Sequence, residues 1–70
     1  MVVFFEKEGR FVRCEARQAA SDTWELIILE PDGTERTERF RSAEELDARA
    51  QEIDREYRGC GWFGPYGQRA

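Results

Sequence analysis

Side chains able to do covalent or acid–base chemistry are sparse in this chain, and each lacks the neighbour that would activate it. The nucleophile candidates are Cys14, Cys60, Ser21 and Ser42, and the sequence has no histidine to serve any of them as a base. Glu44 and Glu45 are adjacent carboxylates, but they fall at an exposed helix start, where burial cannot raise one into a general acid. No glycine-rich phosphate loop follows a strand. Zinc sites in small domains take four nitrogen or sulfur ligands, usually with a closely spaced pair, and two distant cysteines do not supply them. The acidic residues do not fall in a calcium-loop pattern. The expectation is a non-enzyme with no cofactor and no metal.

Cys14 and Cys60 could instead form a disulfide, for which chain entropy would predict about 4 kcal/mol at that loop length. The N-terminal run Val2–Phe5 argues for a different setting. It has no basic leader and stops before a membrane span is reached, so neither a signal peptide nor a membrane segment is expected. The expected compartment is the cytoplasm, where thiols stay reduced, and both cysteines then read as small apolar packers. Charge points the same way. With 15 acidic against 11 basic residues and a net charge of −4, the chain lacks the cationic surface of a general phosphate-backbone binder.

Positioning these residues requires a fold, and 70 residues allow one small domain. The pattern predicts an α+β domain: a four-stranded antiparallel meander over 2–40, one C-terminal helix over 42–58 packed on one face, and an aromatic, glycine-rich tail over 59–70. Val2–Phe5 is apolar and rich in strand formers. Arg10–Arg17 alternates with period two, putting Val12, Cys14 and Ala16 on one face and Phe11, Arg13, Glu15 and Arg17 on the other. Gln18–Asp22 reads as a small-residue loop. Trp24–Glu30 contains the longest interior apolar run, Leu26–Leu29, and reads as a strand buried on both faces.

Pro31-Asp32-Gly33 fits a three-residue hairpin loop with glycine in the left-handed position. Counting back from it pairs Ile28 with Arg36, Leu26 with Glu38 and Trp24 with Phe40. On the other face it pairs Leu29 with Glu35, Ile27 with Thr37 and Glu25 with Arg39. The polar strand Thr34–Phe40 belongs at a sheet edge. Ser42 and Glu45 form a capping box, and Ala43, Leu46, Ala50, Ile53 and Tyr57 repeat on one helical stripe. Glu45–Arg49 and Asp54–Arg58 are i,i+4 pairs, and Gly59 reads as the stop. In the tail, Gly64–Gly67 reads as a β-turn.

Two functional classes follow. One helix covers one side of the sheet, so Ile27 and Leu29 emerge on the other with nothing to bury them. Trp62, Phe63 and Tyr66 either seal the open end of the core beside Tyr57 or, as aromatic anchors, meet another chain. The leading reading is a non-catalytic protein-interaction or structural domain that self-associates as a homodimer through Ile27, Leu29, Trp62, Phe63 and Tyr66, with another protein partner as an option. The alternative is a single-stranded nucleic-acid binder using Phe11, Arg13 and Arg17 on one strand face, which Glu15 and the net negative charge oppose.

Overall fold

A computed structural model describes residues 1–68; Arg69 and Ala70, which the sequence places in the tail, lie outside the described residues. The first hairpin joins β1 (Val2–Lys7) to β2 (Arg10–Ala20) through Glu8 and Gly9, both at positive φ, 53° and 77°. Two consecutive positive φ values make a type I′ turn, whose twist matches that of the strands it connects. Antiparallel β3 (Thr23–Leu29) and β4 (Glu35–Phe40) continue the meander. The β3–β4 register is the one counted from the turn, from Leu29 opposite Glu35 to Trp24 opposite Phe40. At its loop the Glu30 N–H donates to the Thr34 carbonyl at 2.8 Å, and Gly33 sits at φ 90°. The second hairpin departs from expectation: β2 runs on to Ala20 with an irregularity near Gln18, leaving Ser21 and Asp22 as the turn.

Ser42 caps α1 (Ala43–Gly59), its hydroxyl accepting from the Glu45 N–H at 3.2 Å. The Glu45 carboxylate reaches back to the Arg41 N–H at 3.4 Å, one residue before the cap. Gly59 remains helical, and the left-handed residue after the helix is Gly61, at φ 88°. Arg49 does not serve Glu45. It crosses to β4 and grips both oxygens of Glu38, at 2.9 and 3.3 Å, with Glu52 and Glu56 beside it. A guanidinium fork matches a carboxylate in two bonds, which outcompetes a single helical pairing.

The largest correction concerns the tail. Phe63–Gln68 is a fifth strand, β5, antiparallel to β1, and the sheet order is β4-β3-β2-β1-β5. The meander is therefore present but the sheet has five strands, and Gly64–Gly67 is strand rather than turn. Those glycines are present because the chains run unusually close. A Cβ on Gly67 would stand 2.5 Å from the Val2 carbonyl oxygen, and one on Gly64 would stand 2.8 Å from that of Phe4. Helix geometry makes the return possible. Seventeen residues at 1.5 Å rise span about 25 Å. Five strands about 4.8 Å apart cover a similar width. So α1 carries the chain from the β4 edge across to the free edge of β1.

The core lies between α1 and the face of the sheet carrying Val3, Phe5, Val12, Cys14, Leu26 and Ile28, with Leu46 and Ile53 from the helix; all are buried. Tyr57 stacks on Phe5, ring centroids 5.0 Å apart, and Trp62 meets Tyr57 edge-on at 5.6 Å. Strand β3 is thus interior to the sheet but covered on one face only: Leu26 and Ile28 are buried, while Ile27 and Leu29 are half-buried.

Candidate interaction surface

Residues opposite one another in a ladder point to the same face of a sheet. The register therefore puts Val2 and Phe4 of β1, Phe11, Arg13, Glu15 and Arg17 of β2, and Ile27 and Leu29 of β3 together on the side away from α1. Tyr66, opposite Phe4, joins them from β5. Phe4 is 38% exposed, and Phe11 and Tyr66 are each 57% exposed. Two open hollows share Phe4 and Phe11. One, about 580 Å³, is completed by Glu6 and Tyr66; the other, about 520 Å³, runs on between the two hairpin turns past Arg13, Leu29 and Pro31. The result is an aromatic and aliphatic trough across one end of the uncovered face.

The other end is polar and locked. Glu25 of β3 lies on this same face yet is only 6% exposed, because arginines from both neighbouring strands close over it. Arg17 Nε donates to one carboxylate oxygen at 3.1 Å and Arg39 Nε to the other at 2.9 Å. Arg39 and then Arg17 hold the Glu25 carboxyl below its ordinary value of 4.5. A group whose folded value is depressed stabilises the fold above its unfolded value and ceases to do so as pH falls through the folded one. Wild type should accordingly lose stability on acidification below about pH 4.5. In Glu25→Gln that part of the dependence should vanish, as read from urea midpoints between pH 6 and 3. Parallel curves for the two proteins would contradict the assignment.

The sequence-predicted residues divide. Ile27, Leu29 and Tyr66 fall on the open face; Phe63 is 62% exposed at the start of β5, opposite Glu6. Trp62 does not join them: it is half-buried against Tyr57 and the core, tethered by its N–H to the Tyr57 carbonyl at 3.0 Å. Phe11, Arg13 and Arg17 do share the open face, but Arg17 is engaged by Glu25 and Arg13 lies 3.7 Å from Glu15. The chain matches no family model, no curated protein and no solved structure.

Catalytic alternatives find little geometry. Cys14 is buried, and burial, followed by the Asp54 charge, pushes its thiol up to about 11, leaving no thiolate at neutral pH. Cys60 is exposed, and the two cysteines are not bonded to each other. Ser42 is committed to its cap. Among the described residues no group of three or more His, Cys, Asp or Glu could hold a metal ion, and no helix is long and apolar enough to cross a membrane.

Proposed function

We propose that this chain is a non-catalytic protein-interaction domain that works through the open face of its sheet, in the reducing setting of the cytoplasm. The observation that carries the reading is the exposed cluster of Phe4, Phe11 and Tyr66 beside Ile27 and Leu29, on a sheet whose other face packs against its own helix. Contiguous apolar surface of this kind, rimmed by charge, marks a contact site for another macromolecule. Aromatic residues are enriched at such sites, and a few buried anchors carry most of the binding energy. In a cross-linking and capture experiment, Phe11→Ser/Tyr66→Ser should lose the associated chain, while Arg55→Ala on the exposed side of α1 keeps it. Equal capture by all three proteins would remove the reading.

One observation favours a second function. Three exposed aromatics beside arginines on an open sheet resemble the stacking platforms that hold single-stranded nucleic acid. The charge on the face weighs against it: four carboxylates, Glu6, Glu15, Glu25 and Glu35, stand among three guanidiniums, Arg13, Arg17 and Arg39. A phosphate chain crossing them meets no positive groove. Salt-sensitive binding of a short fluorescent oligonucleotide at low ionic strength would reverse this ranking.

A further inference from the structure

We infer that the chain bound by the open face is a second copy of this one, seated face to face about a two-fold axis with its aromatic trough against the first; the inference rests on the interaction reading above. Four features of the surface select that occupant. The edges of the sheet are unsuited to pairing. Edge strand β4 alternates Glu35, Arg36, Glu38 and Arg39, and edge strand β5 carries Pro65, which has no N–H to donate, between glycines at φ 133° and 125°. Contact by face is what remains.

Size fits next. Five strands about 4.8 Å apart and six to seven residues long make a rectangle of roughly 500 Å². Side-chain relief and the longer β2 add to it. That is the order of the ~800 Å² per partner in a standard interface.

Charge is the third and most selective feature. The helix carries six carboxylates against three arginines, whereas the open face is nearly neutral, its three guanidiniums paired with Glu15 and Glu25. Stacking two copies by their open faces sends both acidic helices to the outside of the sandwich, at the greatest separation the shape allows. A basic partner would instead be drawn to the helices. Finally, an isologous contact needs a self-complementary surface. Here the trough offers aromatic rings to rings at the roughly 10 Å spacing of packed sheets, and the intrachain ion pairs beside it present no net charge to a copy of themselves.

Sedimentation equilibrium on the intact chain from 1 to 200 µM tests this. Wild type should move from the 8.2 kDa monomer towards twice that mass. Phe11→Asp, at a position already 57% exposed, should keep its far-UV circular dichroism and dissociate at least a hundredfold more readily. Arg55→Asp on the helix should dimerise as wild type does. Dimers indifferent to Phe11→Asp would overturn the face-to-face arrangement. A strictly monomeric wild type would overturn the second copy. If that monomer still captures another protein, or an oligonucleotide, in a Phe11-dependent way, the face is a site for that molecule instead. If capture shows no Phe11 dependence, the interaction reading falls as well.

Discussion

Phe5→Ala is expected to leave this domain largely unfolded at 37 °C. Phe5 is the largest fully buried side chain, with no exposed surface, and its ring stacks on Tyr57 beneath the end of α1. Tyr57 in turn orients Trp62 and reaches Glu30 through its hydroxyl at 3.3 Å. Truncation therefore empties the point where helix, sheet and returning tail meet. Cutting a buried phenylalanine to alanine costs about 3–5 kcal/mol. A domain of this length holds only about 4–10 kcal/mol in total. The loss should appear as a fall in melting temperature of at least about 15 °C. Trp24 and Trp62 provide the fluorescence signal for urea unfolding. Phe63→Ala, at 62% exposure, is the control and should stay within about 0.5 kcal/mol of wild type. A Phe5→Ala protein within about 1 kcal/mol of wild type would mean the core is not centred there.

The second large effect is local rather than global. Gly67→Ala places a methyl carbon 2.5 Å from the Val2 carbonyl oxygen and 3.2 Å from the Val3 Cα, at a φ of 125° that side-chain-bearing residues rarely adopt. Both obstacles are backbone, so neither can rotate aside. The end of β5 must lift from β1, taking Tyr66 off the open face. Hydrogen exchange should report it: amides on the outer edge of β1 and in residues 65–68 should lose at least tenfold in protection. Leu46 and Ile53 of α1 should keep theirs, because Trp62 is anchored to Tyr57 ahead of the strand. Unchanged protection along β1 would show that β5 is not held against it in solution.

These two residues also mark how far the chain could be read unaided. Phe5 lies in a run, Val2–Phe5, that reads as a strand, but four apolar residues in a row do not show which of them face the core. The β3–β4 register follows residue for residue from Pro31-Asp32-Gly33, because a hairpin's loop length fixes its pairing. The α1 stripe is legible for a similar reason: Ser42 sets the start and the 3.6-residue period sets the face. Gly67 could not be read. Glycines beside a proline carry the composition of a turn, and their use for close strand approach appears only once β1 is known to have a free edge. Trp62 was ambiguous on the same ground, since an aromatic tail serves a core and an interface equally well.

Phe4 is legible from the first hairpin. The Glu8-Gly9 turn fixes the β1–β2 register just as Pro31–Gly33 fixes the next one. Counting back from it sets Phe4 opposite Arg13 and so onto the uncovered face with Phe11. The arginine collar around Glu25 was half legible. Arg39 follows from the hairpin count, but Arg17 needed the length of the β2–β3 turn, and β2 runs further than its composition indicates.

The side of the sheet turned away from α1 is, in this reading, the contact between two copies of the chain. A dilution series of ¹⁵N-correlated spectra tests it residue by residue. Between 10 and 500 µM, the amides of Phe4, Phe11, Ile27 and Tyr66 should shift together along one binding curve, with Asp47, Gln51 and Arg55 of the helix unmoved. Spectra that do not change with concentration, or shifts gathered on the helix, would contradict it.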